Sequence, residues 1–480
     1  MSCILLTARS IAAPSLILLS LGACRAPETD PLETAELVSA VSARDASPAE
    51  LGAALELAGL RPLALAPPTE EALLDPQRAE FWHACAWAWS PTTREARRRL
   101  QAAQARAGSA GRPQPIRASI ETRELDDPDA NSRLMLTFDL LGLLGIGPAA
   151  AARALADAET RAALSGLEEA MWAARFDVDA ARVRLAAVRA ARADLDALHQ
   201  EAEDEVARIE ILDRNGRIAT GALASARLAL HKLAEQREQL AQDEARAREA
   251  LAIVAGLTPE ASALDANGRE LIEQWLMHAV DRSNQTEVMA AELLERVPQL
   301  RGLLLDYAIA EARLRETASR RWPSLALGPH LFWGDSDLLL GSVISSGLPW
   351  PDSLDGEIAA VSVEREAARE RIEDGLLAVQ AGRRSALQRQ AAALDMLEQG
   401  SLPVADQSAR LWTAARARFA VDPQGLEAWA HALTERMKAL RGLHSARAEA
   451  VLAAMEIERL TGPSSDLPRL VAASLTEESR

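Results

Sequence analysis

Residues 211–230 read ILDRNGRIATGALASARLAL, and this stretch decides the fold because it places a sharp turn between two very long helical patterns. Its centre, Asn215-Gly216, is a turn-forming pair. A second turn former, Asp422-Pro423, begins 206 residues after Gly216. The helical pattern after each turn ends at a glycine, and these glycines, Gly256 and Gly462, are also 206 residues apart. Two landmarks at one offset predict an internal duplication.

Each half of the chain repeats one order of elements: a short helix, two strands, a long helix, a turn and a second long helix. Helices of about seventy and about forty residues would reach roughly 100 Å and roughly 60 Å. No globular core is that tall, so such helices must pair lengthwise. Leu223 with Leu230, and Leu387 with Leu394, have the seven-residue spacing of a coiled coil. The predicted fold class is therefore mostly α with a small β part, built from long antiparallel helical coiled-coil hairpins and four strands.

The predicted strands alternate apolar and polar residues, which marks strands with one buried face. Their apolar positions are Ile116, Ala118 and Ile120, then Leu134, Leu136 and Phe138, and in the second repeat Leu325, Leu327 and Leu331. Three tryptophans, Trp322, Trp333 and Trp350, stand at strand ends. Tryptophan at such positions is typical of a membrane interface, where the ring is apolar and its N–H stays wet. Ordinary packing against the sheet is the alternative for these three residues.

Composition supports long helices over compact cores. The chain has 480 residues, only 3% aromatic residues and a net charge of −17. The negative balance argues against nucleic acid as a partner, because phosphate binding needs a basic stripe.

The N-terminus has the pattern of a secretory signal. Arg9 precedes an apolar run from Ile11 to Leu21, and Leu21-Gly22-Ala23-Cys24 resembles a bacterial lipoprotein box. This predicts cleavage before Cys24 and acylation of its sulfur; an ordinary signal with an incidental cysteine is the alternative. Cys85 would then be the remaining thiol, and the tryptophans around it predict that it is buried and inert.

These patterns divide the chain into five parts. The predicted parts are a lipoprotein signal peptide (1–23), an extended N-terminal segment (24–75), a first structural repeat (76–290), a second repeat (291–465) and a C-terminal tail (466–480).

Motifs for chemistry are not found. The seven histidines never lie within four residues of one another, so no helical metal pair is predicted. No nucleophile elbow, phosphate loop or dinucleotide fingerprint occurs in a suitable context. We therefore predict no cofactor and no enzyme activity; a defined ligand pocket would favour a hydrolase or a binding protein instead.

Several segments, in their order and spacing, resemble the TolC-type outer-membrane efflux family, including its lipoprotein members. They are Asn215-Gly216-Arg217-Ile218, Arg248-Glu249-Ala250-Leu251, Arg296-Val297-Pro298-Gln299-Leu300, Arg321-Trp322-Pro323-Ser324-Leu325 and Gly347-Leu348-Pro349-Trp350-Pro351. The resemblance covers about residues 76–465. The last segment, with Gly356-Glu357-Ile358 after it, is most similar to the heavy-metal-efflux branch. One departure is Asp422-Pro423, which stands where the family usually has glycine.

The resemblance implies a homotrimer in which each subunit gives four strands to a twelve-stranded barrel and its helices to a periplasmic tunnel. It implies a location in the outer membrane, anchored by lipid, with a large periplasmic portion. The implied function is the passive exit duct of a tripartite efflux or type I secretion system, with a periplasmic adaptor protein and an inner-membrane pump as partners. A lipid-anchored periplasmic coiled-coil scaffold without transport activity is the alternative.

The two turns are the candidate site for adaptor contact and gating. Their residues are Asp213, Asn215, Gly216 and Arg217 in the first turn and Asp422, Pro423, Gln424 and Gly425 in the second. We expect both turns at the same end, far from the strands. In a trimer, Asp213 and Asp422 would recur as rings of carboxylates that favour cations. Solvated turns with no gating role are the alternative.

Overall fold

A computed structural model describes the chain over most of its helices and strands. The described residues are 51–52, 75–112, 117–122, 132–139, 144, 146–218, 221–266, 272–273, 275–276, 290–322, 324–333, 338–347, 354–421 and 425–462. Contacts divide the chain into Met1–Arg44 and Asp45–Arg480, and all described residues lie in the second unit. The predicted signal peptide, Cys24, most of segment 24–75 and the tail 466–480 lie outside the described residues.

The helices and strands follow the predicted order in both halves. The helices are α1 (Ala79–Trp89), α2 (Pro91–Ser109), α3 (Pro148–Arg214), α4 (Ala222–Ala255), α5 (Ala290–Arg296), α6 (Pro298–Ser319), α7 (Asp355–Asp395), α8 (Leu402–Val421) and α9 (Leu426–Thr461). The strands are β1 (Arg117–Thr122), β2 (Ser132–Asp139), β3 (Ser324–Trp333) and β4 (Leu338–Gly347).

The first short helix, which the sequence predicted as a single helix, is divided into α1 and α2. Ser90 is extended, with ψ of 136°, and Pro91 begins α2. Proline has no N–H to continue the preceding helix, and it disfavours helical geometry in the residue before it. Pro91 therefore ends α1 and starts α2.

The longest predicted helix of each half is confirmed, and these two helices have equal length. α3 is 67 residues long. The second long helix runs from Asp355 to Val421, the same length, but it contains a π-helical turn, Met396–Ser401, between α7 and α8. The Leu402 N–H bonds to the Leu397 carbonyl, five residues back. Pro403 explains the widened turn, because its ring would clash with the carbonyl four residues earlier in a regular helix.

The four strands form one antiparallel sheet in the order β1-β2-β3-β4. β1 and β2 pair from Arg117↔Thr137 to Thr122↔Ser132. β3 and β4 pair from Ser324↔Gly347 to Trp333↔Leu338. The two hairpins join through β2 and β3, although they lie almost two hundred residues apart in the chain. β1 and β4 are the edges of this sheet.

The helices beside the sheet form a layer in the same order as the strands. α2 packs on α3, α3 on α6, and α6 on α7. Along the chain, α2 precedes β1, α3 follows β2, α6 precedes β3, and α7 follows β4. Helix α2 and strand β1 therefore form one edge of the subunit, and α7 and β4 form the other. Further from the sheet, α4 and α9 pack on the rest of α3, and α8 packs on α9.

Candidate functional site

The sheet has one apolar face, because the strand register aligns like residues. One apolar row crosses the sheet through Ile120, Leu134, Leu331 and Leu340, and another runs through Phe138, Leu327 and Ile344. On edge strand β4, Leu340 is 78% exposed and Ile344 is 71% exposed. Exposed apolar area is unfavourable in water by about 25 cal/mol per Å². This face is suited to a nonpolar medium.

The opposite face of the sheet carries the polar positions of β1 and β2. The same register places Glu121 opposite Arg133, and Arg117 opposite Thr137. Alternation of apolar and polar faces is the pattern of strands that separate lipid from an aqueous interior.

A close approach of backbones occurs in the middle of the sheet, at Gly328-Pro329. A Cβ atom at position 328 would overlap the Leu136 carbonyl oxygen of β2. Pro329 cannot donate a backbone hydrogen bond, so the β2–β3 pairing resumes on either side of it, at Met135↔His330 and Phe138↔Leu327.

Trp322 lies at the junction between the helix layer and the sheet. Its side chain is 54% exposed, and its ring lies against Gly147, the residue before α3. The adjacent Arg321 forms an ion pair with Asp355 at the start of α7. Of the other two predicted interface tryptophans, Trp333 ends β3 but its side chain is not described, and Trp350 lies outside the described residues.

The first predicted turn closes α3 with a Schellman motif. Gly216 has φ of +65°, its N–H bonds to the Asp213 carbonyl at 2.8 Å, and the Arg217 N–H bonds to the Leu212 carbonyl at 2.9 Å. The Asn215 side chain donates to the Ile211 carbonyl at 2.8 Å. The turn is thus fixed by its own hydrogen bonds, and Asp213 to Arg217 are exposed.

The second turn lies between α8, which ends at Val421, and α9, which begins at Leu426. Asp422, Pro423 and Gln424 lie outside the described residues. Gly425 has φ of −74°, so it begins α9 and does not cap α8 in the way that Gly216 caps α3. The two turns differ in this respect.

Both turns lie at the same end of the helices. A single hydrophobic cluster includes Leu212 and Ile218, which flank the first turn, together with Phe419 and Leu426, which flank the second. The long helices separate this end from the sheet, since α3 alone spans about 100 Å.

Near this end, α3 and α8 are joined by charged and aromatic side chains. Trp412 donates its Nε1–H to Glu201 at 2.8 Å, and Arg416 contacts Glu201 at 2.8 Å and Glu205 at 3.3 Å. The Trp412 ring packs on Trp429, 5.7 Å between ring centres. These cross-helix pairs were not predicted from the sequence, which shows only the four-residue spacing of Glu201 with Glu205 and of Trp412 with Arg416.

A buried polar network holds α1 on α3. Asp179 accepts a hydrogen bond from His83 at 2.8 Å and contacts Arg182 at 3.4 Å. Burial lowers the pKa of Arg182, and the charge of Asp179 opposes that shift. Cys85 of α1 lies in the hydrophobic core, and burial raises the pKa of its thiol well above the usual range. These groups stabilise the packing of α1.

A cavity of about 830 Å³ lies between α3, α4, α7 and α9. Three arginines and three carboxylates line it, among them Arg184, Arg389 and Glu449, and none of its lining residues is histidine or cysteine. Among the described residues, no group of three potential metal-ligating side chains comes together. No helix in the described ranges is long and apolar enough to cross a membrane.

Comparisons with solved structures establish the fold. The chain is similar to the outer-membrane channel OprN, with 19% identity, a TM-score of 0.67, and coverage of 81% of this chain and 90% of that one. It is similar to the Campylobacter jejuni CmeC outer membrane channel, with 14% identity, a TM-score of 0.65, and coverage of 84% and 89%. It is also similar to CusC, whose structures concern transmembrane channel formation. The identity is 15%, the TM-score is 0.63, and the match covers 81% of this chain and 93% of that one.

These structural similarities confirm the predicted fold of long helical hairpins with a small four-stranded sheet. No protein-family model matches the sequence, and neither does any curated protein.

Proposed function

We propose, from the fold that this chain shares with outer-membrane channels, that it is the outer-membrane duct of a tripartite efflux or type I secretion system. The observation that carries the proposal is the sheet, which has exposed apolar residues on one face, namely Leu327, Leu340 and Ile344, and two free edges. Such a sheet is stable in a membrane only if its edges are paired, because unpaired backbone groups are costly in lipid.

A homotrimer would pair these edges. Three copies of a four-stranded sheet give a twelve-stranded barrel, with β4 of each copy against β1 of the next. The apolar face, with Leu340 and Ile344, would then contact outer-membrane lipid. The exposed Trp322 would lie at the periplasmic surface of the outer membrane, because tryptophan is favoured at membrane–water interfaces.

The helices would form the periplasmic tunnel below this barrel. Their turns, with Asp213 and Asp422, would form its mouth and contact a periplasmic adaptor that links the duct to an inner-membrane pump. The shared cluster beneath both turns supports this proposal, because it brings the two hairpins to one end. The duct itself would do no chemistry. Acylation of Cys24 would add a second membrane anchor, since each buried methylene contributes about 0.8 kcal/mol.

A lipid-anchored scaffold without transport is the second candidate function. Single-channel recording of the purified protein in planar bilayers separates the two candidates. We expect discrete, cation-selective conductance steps, and their absence from protein that has inserted into the bilayer would favour the scaffold.

The double variant Asp213→Asn with Asp422→Asn tests the mouth in the same recordings. We expect weaker cation selectivity, because each neutralised carboxylate occurs three times around the mouth. A matched control is Glu427→Gln, an exposed carboxylate in the first turn of α9. Unchanged selectivity in the double variant would contradict a role for these aspartates.

A further inference from the structure

The junction between the sheet and the helix layer carries exposed apolar residues. β1 and β3 begin at this end of the antiparallel sheet, and β2 and β4 end there. Between β2 and α3, Leu144 is 64% exposed and Ile146 is 43% exposed. The exposed Trp322 lies two residues before β3. Exposed apolar surface therefore continues from the strands to the beginning of α3.

Two arginines lie beside this apolar surface, where α2 meets α3. Gly111 follows α2 with φ of +62°, and the first turn of α3 packs on it. A Cβ atom at this position would overlap the Ala149 carbonyl oxygen and would lie 2.5 Å from the Arg153 Cγ. The side chain of Arg153 is thus laid across the end of α2. Arg112 follows Gly111 directly, and both arginines are exposed.

The first turns of α3 set the order of these groups along the molecule. The Trp322 ring lies against Gly147, immediately before α3 begins. Arg153 is six residues further along the chain, which places it about 9 Å further from the sheet. The order from the sheet outward is therefore apolar side chains, then tryptophan, then arginine.

The other arginines at this junction are neutralised within the subunit. Arg320 forms ion pairs with Glu316 and Glu357, each at 3.3 Å. Arg321 pairs with Asp355 at the start of α7. The side of the junction where α6 meets α7 is therefore electrically balanced.

The side where α2 meets α3 has an excess of positive charge. Among the residues that the structure describes, neither Arg112 nor Arg153 has an ion-pair partner. The exposed Asp157, one turn further along α3, does not pair with Arg153. On a chain with a net charge of −17, two unpaired arginines beside exposed apolar side chains favour an anion supplied from outside the chain.

The apolar neighbours indicate what kind of anion this is. Arginine lays its apolar stem along apolar surface and keeps its guanidinium in the polar layer, where the planar group matches phosphate oxygens. Tryptophan is favoured at the same boundary between lipid and water. A small free anion would bury none of the apolar area of Leu144, Ile146 and Trp322, whereas a phospholipid has both a phosphate and acyl chains.

We infer that Arg112 and Arg153 bind the headgroup of an anionic phospholipid, whose acyl chains lie along Leu144, Ile146 and Trp322 and continue onto the apolar face of the sheet. The inference rests on the proposed function and deepens it. It places the lipid at the periplasmic surface of the outer membrane and specifies the charge of its headgroup. The binding site lies where α2 meets α3, and not where α6 meets α7.

Lipid retention by the purified protein tests the headgroup preference. The full chain in detergent is mixed with equal amounts of phosphatidylglycerol and phosphatidylcholine that have identical acyl chains, and retained lipids are counted by native mass spectrometry. We expect the parent protein to prefer phosphatidylglycerol. Each arginine near an anionic lipid surface contributes roughly fivefold in affinity, so Arg153→Gln should lower the preference roughly fivefold and the addition of Arg112→Gln roughly 25-fold in total.

Two further variants separate charge from packing. Arg320→Gln is the matched control, because Arg320 lies at the same junction but has carboxylate partners within the subunit. It should leave the ratio of the two lipids unchanged. Arg153→Lys keeps the charge and should keep most of the preference. A double variant with the preference of the parent, or an Arg320→Gln variant that loses as much preference as Arg153→Gln, overturns the inference.

Inorganic phosphate distinguishes a lipid site from a site for a small anion. A large excess of inorganic phosphate should leave phosphatidylglycerol bound, because phosphate makes no contact with the apolar side chains. If inorganic phosphate removes the lipid as completely as a competing phosphatidylglycerol does, the assignment to a lipid is wrong.

The lipid ratio is measured without any conductance. A protein that retains phosphatidylglycerol through these arginines but gives no conductance would refute the duct and leave the lipid site standing. A conducting protein without the lipid preference would refute the lipid site alone.

Discussion

Two glycines end long helices in the same way, and comparing them isolates the effect of packing. Gly216 ends α3 and Gly256 ends α4, each in a Schellman motif with φ of +65° and +72°. Alanine at either position must adopt a left-handed backbone, which costs about 1–2 kcal/mol for a residue with a Cβ. This part of the effect is common to both substitutions.

The surroundings of the two glycines differ. Nothing lies within 4 Å of a Cβ built at Gly216. At Gly256 the same atom would lie 2.6 Å from the Trp89 Cβ and 2.7 Å from the Trp89 carbonyl carbon and oxygen. That backbone ends α1 and cannot move away easily, and overpacking of this kind adds about 1–3 kcal/mol. We therefore expect Gly256→Ala to destabilise the protein by about 2–5 kcal/mol and Gly216→Ala by about 1–2 kcal/mol.

Urea unfolding of the purified protein, followed by far-UV circular dichroism and by tryptophan fluorescence, measures the difference. The two variants are compared by the urea concentration at the midpoint of unfolding. This requires that the slope of unfolding free energy against urea concentration be the same for both, because a change of slope would indicate a change in the surface exposed on unfolding. A Gly256→Ala variant that is no less stable than Gly216→Ala would refute the reasoning, because it would mean that α1 does not pack rigidly against the end of α4.

Three other substitutions test charges and hydrogen bonds. Burial and the nearby charge of Asp306 raise the pKa of Glu169, so Glu169→Gln should raise the melting temperature at neutral pH. Burial tends to raise the pKa of Glu244, but hydrogen bonds from two arginines of α3 outweigh it and hold that pKa below the usual range. The resulting stabilisation is present above the ordinary glutamate pKa and is lost as the pH falls through the lower pKa that Glu244 has in the folded protein. The Glu244→Gln variant should therefore show a smaller loss of unfolding free energy as the solution is acidified. Trp412→Phe removes the 2.8 Å hydrogen bond to Glu201 and should cost about 1 kcal/mol in chemical denaturation.

The sequence predicted the long helices well because their evidence is local. Breakers and turn formers are visible in one dimension, and the offset of 206 residues linked the two halves. Pro91 also indicates a helix boundary in the sequence, although the sequence prediction gave one continuous helix there. The π-helical turn was harder to predict, because Pro403 could equally have ended or kinked the helix.

The contacts between helices were not predictable from the sequence. Which carboxylate meets which arginine depends on the rotation of one long helix about its axis relative to the next. Glu201 and Arg416 lie more than two hundred residues apart, and nothing in the sequence around either residue indicates the other as its partner. The sequence also did not predict how Gly425 is used: it begins a helix, whereas Gly216 ends one.

The π-helical turn makes the two halves of the subunit mechanically unequal. In the first half, α3 is a lever about 100 Å long, so a 5 Å displacement at its turn corresponds to a tilt of only about 3° at the sheet. In the second half, the widened turn lies 20 residues, about 30 Å, from the end of α8. Bending there by about 10° gives the same displacement and leaves the sheet and α7 undisturbed. Such bending would have to break the contacts of Trp412 and Arg416 with Glu201 and Glu205, because these contacts tie α8 to the straight helix α3.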